Sequence, residues 1–327
     1  MGEFELLAKL RDRLPPPGPR VRLGSGDDAA VTVPGGATAT SVDAIVDGVH
    51  FRRERSDPAA IGHKALATAL SDLAAMGAEP GEAYVYLGLP AVVGEEEALA
   101  LLAGMVALAG ETGTTLAGGD LTRAPALTLA VTVVGHAEAP ELLVPRAGAR
   151  AGDVLVVTGE LGGATAGLLA LEDPDLGARL AAGTAADLRR RQLQPLPRLG
   201  AGRALAGAGA RAMIDLSDGL GADARHLAEA SGVGLRIDGA ALPLATGVAE
   251  IAAAADRDPI ELASGGGEDY ELLAALPPAR LERAAAAVRA AGEGELTPIG
   301  EAVAGSGVEI RLPGGGRLEA TGYDQLG

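Results

Sequence analysis

The chain has 327 residues, enough for two domains of ordinary size or one large one. Its net charge of −17 excludes a nucleic-acid surface, which needs a basic patch, and favours divalent cations or anionic substrates that arrive with their metal. Cysteine is absent, which excludes disulfides, thiolate zinc sites and cysteine nucleophiles, and aromatics make up 2%, leaving Phe4, Phe51 and four tyrosines for ring stacking.

The start, Met1-Gly2-Glu3-Phe4-Glu5, lacks the basic flank and apolar stretch of a signal peptide. No apolar run reaches membrane-spanning length. The expectation is a soluble cytoplasmic protein with no nucleic-acid or membrane partner.

In chain order, a short helix is expected over 3–14, ended by Pro15-Pro16-Pro17-Gly18-Pro19. Strand-like runs follow at 37–45, 82–89, 114–117 and 126–134. Two helices lie between them. The first has Asp57 as N-cap, Pro58 at the first helical position and Gly77 just past its end. The second runs over about 95–110. A turn-rich stretch at 140–152 marks the expected domain boundary, giving domains over 1–140 and 141–327. Beyond it come a strand at 153–158, a glycine-bearing turn at 159–163 and helices to about 206. Strands at 212–216 and 234–237 enclose a helix over 219–230, and a strand at 270–276 precedes an Ala-rich helix over 278–291. Strands and helices mix without strict βαβ alternation, so the expected class is α+β, with mixed sheets and helices packed on them.

Seven aspartates recur at the ends of apolar runs, often beside glycine: Asp27, Asp28, Asp43, Asp72, Asp120, Asp215 and Asp218. An unpaired carboxylate is costly to bury among Ala, Val and Leu. The only two lysines, Lys9 and Lys64, lie outside these motifs. Taken singly, each aspartate reads as a turn former or helix cap, Asp218 in particular as a cap of the helix that follows it. As a set they read as ligands of bound metal. Magnesium takes oxygen ligands, keeps some waters, and binds through a few carboxylates plus substrate phosphates. On the helix carrying Asp72, the small residues Ala65, Thr68 and Ala69 share its face with Met76 and leave room for metal or phosphate.

Neither lysine is followed by a hydroxyl residue, which excludes a P-loop, and no Gly-x-Ser-x-Gly elbow or protein-kinase set is present. His50, His63, His136 and His226 are too dispersed to suggest zinc. The run Ser264-Gly265-Gly266-Gly267-Glu268-Asp269-Tyr270 reads either as a hairpin turn or as a loop whose bare backbone approaches a ligand. The turn at 159–163 is a weak candidate for leading phosphate to a helix N-terminus. Arg146 reads equally as a phosphate clamp or as a surface arginine.

Together these motifs resemble the thiamine-monophosphate kinase family. The matching stretches in the first half are Gly26-Asp27-Asp28-Ala29, Ser41-Val42-Asp43 with Asp47-Gly48-Val49-His50-Phe51, Ser71-Asp72-Leu73-Ala74-Ala75-Met76-Gly77-Ala78, and Gly118-Gly119-Asp120. In the second half they are Arg146, Asp215-Leu216-Ser217-Asp218-Gly219-Leu220 and Gly266-Gly267-Glu268-Asp269-Tyr270-Glu271-Leu272. The resemblance covers nearly the whole chain in order. It implies the two-domain α+β fold shared with aminoimidazole ribonucleotide synthetase. It also implies ATP-dependent phosphorylation of thiamine monophosphate to thiamine diphosphate, with several Mg2+ ions and ATP as co-substrate. A homodimer through the N-terminal domain is implied too, that domain binding ATP and magnesium while the C-terminal domain completes the active site.

Residue by residue, the resemblance implies Asp27, Ser41, Val42, Asp43, Asp72, Asp120, Asp215 and Asp218 as the metal set. Asp43 and Asp218 would be the most critical, and no general base is needed. Gly119, Asp120, Arg146 and Ser217 would lie by the nucleotide, and His50 and Glu268 by the thiamine phosphate, with Tyr323 a further candidate there. Of the adjacent pair, Asp27 is favoured over Asp28. Two positions depart from the family. Thr112 stands where a tyrosine is common, and the tail Ala320-Thr321-Gly322-Tyr323 lacks the usual tryptophan. The alternatives are another ATP-using enzyme of the same superfamily, aminoimidazole ribonucleotide synthetase-like, or a non-catalytic magnesium–nucleotide-binding protein.

Overall fold

The structure, a computed structural model, describes residues 3–25 and 29–323. The chain divides into two units, 1–73 with 78–140, and 74–77 with 141–327.

The first unit holds α1 (Glu3–Arg11), a small antiparallel pair of β1 (Val21–Leu23) and β2 (Val31–Thr32), then β3 (Ala37–Val46), α2 (Pro58–Met76), β4 (Glu79–Leu89), α3 (Glu95–Thr112), β5 (Thr115–Arg123) and β6 (Thr128–Ala137). Four strands form one sheet in the order β3-β6-β4-β5, antiparallel except for the β4–β5 pair. That pair is parallel because α3 supplies the crossover between its strands. Asp57 caps α2 as expected: its Oδ1 accepts from the Ala59 amide at 2.8 Å. Leu66, Leu70 and Leu73 of that helix are fully buried, each contributing about 2 kcal/mol. A Cβ on Gly62 of α2 would lie 1.8 Å from the Leu101 carbonyl oxygen, and one on Gly104 of α3 would lie 1.8 Å from that of Ala59. The two helices cross backbone against backbone, a contact that only glycine permits.

The second unit runs β7 (Val154–Thr158), α4 (Gly163–Glu172), α5 (Pro174–Gly177), α6 (Ala182–Leu193), α7 (Leu199–Ala208), β8 (Ala212–Asp215), α8 (Leu220–Ser231), β9 (Gly234–Asp238), α9 (Val248–Ala254), α10 (Pro259–Gly265), β10 (Leu272–Leu276), α11 (Leu281–Ala290), β11 (Leu296–Val303), β12 (Val308–Arg311) and β13 (Arg317–Leu318). Its seven-stranded sheet has the order β13-β12-β9-β11-β7-β10-β8, with only β12–β9 parallel. Alternate residues of β7 and β10 (Leu155, Val157, Leu273, Ala275) join Leu220 and Leu227 of α8 in one core. A second core forms among α4, α6, α9 and α10 from Ala166, Ala170, Leu188, Val248, Ile251 and Leu262. Mixed sheets with helices packed on them make this an α+β protein. No helix among the described residues is long and apolar enough to cross a membrane.

Among the differences from the sequence expectation, three have a clear physical reason. The strand expected at 114–117 continues to Arg123, so Gly119 and Asp120 sit inside β5, not after it. Two successive glycines end a propensity-based reading, but the parallel pairing with β4 carries the backbone through them. The strand expected from 270 begins at Leu272, because Tyr270 has φ +50° and is not extended. Strands β11 to β13 are unforeseen, since Pro298 and Gly300 interrupt the alternation and pairing is irregular there.

Candidate active site

In the first unit, strand register fixes the acids. β3 pairs with β6 without a break from Ala37↔Ala137 to Val46↔Thr128. Side chains alternate along it, so half-buried Ser41 and Asp43 share one face while Val42 points to the other, 65% exposed. Ser41 Oγ donates to Asp72 Oδ2 on α2, tying strand to helix. Pairing aligns Asp43 with Val131, Val85 and Gly119, which places Gly119 on the Asp43 face. A Cβ there would lie 2.1 Å from the Val85 carbonyl oxygen. The next row aligns Ala44, Ala130, Tyr86 and Asp120, so Asp120 lies on the opposite face. The sheet thus gathers Ser41, Asp43, Asp72 and Gly119 on one side, and leaves Val42 and Asp120 on the other.

His50 follows β3 in a tight turn that Gly48 makes possible at φ +85°. The Val46 amide donates to His50 Nδ1 at 3.1 Å, and buried Lys64 donates from Nζ to the His50 carbonyl at 3.3 Å. With Nδ1 committed as an acceptor, the neutral ring carries its proton on Nε2 and offers a donor to an incoming anion. The expected ligands Asp27 and Asp28 lie outside the described residues.

In the second unit, two loops meet. β8 ends at Asp215 and the chain turns through Leu216, Ser217 and Asp218 into α8. The glycine-rich run 265–271 lies against it. The Glu268 amide donates to the Ser217 carbonyl at 2.8 Å, the Tyr270 amide to the Leu216 carbonyl at 2.9 Å, and the Leu216 amide to the Glu271 carbonyl at 2.8 Å. A Cβ on Gly267 would lie 2.5 Å from the Ser217 carbonyl oxygen, and one on Gly219 would lie 2.9 Å from that of Gly266. These glycines do not make the hairpin turn, since the run joins α10 to β10. They let two backbones touch.

The N-cap position of α8 falls not on Asp218 but on Gly219. Asp223, one turn into the helix and 2% exposed, accepts from the Asp218 and Gly219 amides, both at 3.1 Å. Burial, then the charges of Asp215 and Asp218, push the Asp223 carboxyl up to about 8 against those two amides. Neither does the turn at 159–163 present an open helix N-terminus to phosphate. The Asp269 carboxylate already occupies it, accepting from the Gly162 and Ala164 amides at 2.7 and 3.1 Å. Burial still drives Asp269 up to about 7. Glu271, 2% exposed, is also pushed up by burial, while Arg198 opposes the shift through a bidentate contact at 2.7 and 2.5 Å. Thr158 adds a hydrogen bond at 2.7 Å.

Two expected residues have mixed placements. The Tyr323 amide donates to the Asp218 carbonyl at 2.9 Å, which sets this residue on the acidic loop with its side chain 53% exposed. Arg146 is exposed, and its carbonyl accepts from Ser231 at the far end of α8. That helix has 12 residues, about 18 Å at 1.5 Å each, so the unit does not bring the Arg146 backbone to Ser217.

Sequence reasoning missed Asp223, Gln192, Arg198 and Glu271. Asp223 was findable as an acid in the first turn of a helix that follows Asp-Gly. The others show themselves only through partners more than seventy residues away, Gln192–Glu268 by 76 and Arg198–Glu271 by 73.

The donor set suits a hard divalent cation. It offers carboxylates and a hydroxyl, and Asp223 is driven up in part by neighbouring negative charge. Among the described residues no group of three or more His, Asp or Glu stands close enough to hold a metal alone. Water and ligand phosphate oxygens would have to complete any coordination sphere, as magnesium commonly requires.

A two-domain fold with acids on the sheet of one unit and on the loops of the other defines the class. Residues 26–137 match the AIR synthase related protein, N-terminal domain, and residues 150–313 its C-terminal domain. A thiamine-monophosphate kinase of Mycobacterium tuberculosis is 43% identical over 285 residues, covering 84% of this chain and 80% of its own. The crystal structure of thiamine-monophosphate kinase from Stenotrophomonas maltophilia superposes with a TM-score of 0.82 at 34% identity, over 95% of this chain and 96% of that one. AaThiL complexed with AMPPCP and TMP gives a TM-score of 0.77 at 30% identity, over 98% and 96%. The chain belongs to the thiamine-monophosphate kinase family of enzymes.

Proposed function

We propose that this protein transfers the γ-phosphoryl group of ATP to thiamine monophosphate, giving thiamine diphosphate and ADP. One observation carries the reading: a solved relative matched over 98% of this chain is complexed with AMPPCP and TMP. A bond forms from a terminal phosphate oxygen of thiamine monophosphate to the γ-phosphorus as the β–γ bridging bond breaks. The acceptor oxygen is already anionic near neutral pH, so no general base is needed and no phosphoenzyme forms.

Several Mg2+ ions, held in this reading by Asp27, Asp43, Asp72, Asp120, Asp215 and Asp218 with help from Ser41 and Val42, would screen the repulsion between two polyanions and stabilise charge in the transition state. Gly119 leaves bare backbone for the nucleotide to approach and Ser217 would join that subsite, whereas Asp120 would reach the nucleotide from the other sheet face and Arg146 only through its long side chain. His50 offers its Nε2 proton to the substrate phosphate, and Glu268 and Tyr323 face the organic part of thiamine monophosphate. A homodimer through the first unit belongs to the same reading. The absence of cysteine suits a cytoplasmic setting, where ATP is supplied.

The test is direct. The protein is incubated with ATP, Mg2+ and thiamine monophosphate, and equal amounts of thiamine diphosphate and ADP are expected. ATP hydrolysis alone, or no reaction, would overturn this reading and favour an aminoimidazole ribonucleotide synthetase-like activity.

A further inference from the structure

Gln192 is a buried polar residue that the reaction as described does not use. It is 4% exposed near the end of α6. A buried amide is costly unless its hydrogen bonds are made, and this one donates from Nε2 to Glu268 Oε2 at 2.6 Å. The helix that carries it is closely seated: a Cβ on Gly167 of α4 would lie 2.0 Å from the Leu188 carbonyl oxygen. Leu188 is one turn before Gln192 on the same helical face. The partner is constrained as well, since Glu268 has φ +68°, a left-handed backbone that glutamate rarely adopts.

The three acids of this loop are held in different ways. Glu271 is neutralised by Arg198, and Asp269 is spent on the α4 amides. Glu268 Oε2 accepts from the Gln192 amide, a neutral partner that fixes the direction of the carboxylate. The residues just before Gln192 are Arg189, Arg190 and Arg191, so the helix turns neutral at the position facing Glu268. A carboxylate fixed in direction suits a cationic ring system that also bears an amino group, the chemistry of thiamine monophosphate outside its phosphate.

We propose that Gln192 is a positioning residue that aims Glu268 at the organic part of the substrate. The inference rests on the proposed function. It assigns Gln192 to affinity for thiamine monophosphate and gives it no part in nucleotide binding.

Titration calorimetry on the full chain tests it, using thiamine monophosphate and, separately, a non-hydrolysable ATP analogue with Mg2+. Gln192→Met keeps the volume and removes the donor, and should weaken thiamine monophosphate binding about tenfold. Nucleotide binding and kcat at saturation should stay within about twofold. In a Glu268→Gln background, Gln192→Met should add less than about twofold. Should Gln192→Met melt too low to assay, Gln192→Asn shortens the amide's reach and gives the same comparison. Equal substrate affinity, parallel loss of both ligands, or full additivity with Glu268→Gln overturns the inference alone. A wild-type protein that binds no thiamine monophosphate overturns the proposed function and this inference together.

Discussion

The acids of the first unit and those of the second are held by different physics. In the first, Asp43 and Asp120 ride on paired strands, and register alone decides which face each occupies. In the second, Asp218 and Glu268 sit on loops, and buried or half-buried polar side chains take over the role of register: Asp223, Asp269, Glu271, Arg198 and Gln192. A strand-borne acid is positioned by many weak and repeated interactions. A loop-borne acid depends on a few strong ones, so the second half should be the more sensitive to single changes in its supports.

The largest expected effect tests that dependence. Arg198→Ala leaves Glu271 buried without its counter-charge, and should cost about 3 kcal/mol or more in urea unfolding. A loss near zero would mean that Thr158 and solvent suffice. Next comes chemistry in both halves. Asp43→Asn and Asp218→Asn should each lower kcat about 100-fold while leaving the melting temperature unchanged or raised. Loss for one and not the other would break the symmetry between the units, and tolerance of both would indicate a non-catalytic protein.

A third effect belongs to the loops alone. Asp269 rises to about 7 and Asp223 to about 8 from an ordinary value of 3.8, so the folded state binds their protons more tightly than the unfolded state. Their stabilisation is whole below about pH 4 and is lost as pH rises through 7 to 8. The melting temperature of metal-free protein should therefore fall by about 5 °C between pH 5 and pH 8. Asp269→Asn should flatten that slope, and a pH-independent melting curve for the wild type would count against these shifts. The smallest change is Ser41→Ala, which removes the hydrogen bond to Asp72 and should reduce kcat/KM about fivefold.

These differences also explain what the sequence could and could not reveal. Asp57, Pro58 and Gly77 mark α2 because capping chemistry is local. The acids were legible because their neighbours are apolar and small. The face that each strand-borne acid occupies was not legible, since it follows from pairing with residues such as Val131 and Val85 far along the chain. Tyr270 looked like the start of a strand, yet tertiary hydrogen bonds hold it at φ +50°. Gln192 follows three arginines in sequence, and only its burial and its bond to Glu268 single it out.

The glycines at 219 and 267 constrain how this protein can be re-engineered. Each is small because the opposite loop leaves no room, so opening space for a bulkier substrate would not free either position. A library meant to alter substrate preference would waste its diversity there. The productive positions are the side chains that project from the joined loops and the helix behind them, with 192 and 268 varied as a pair.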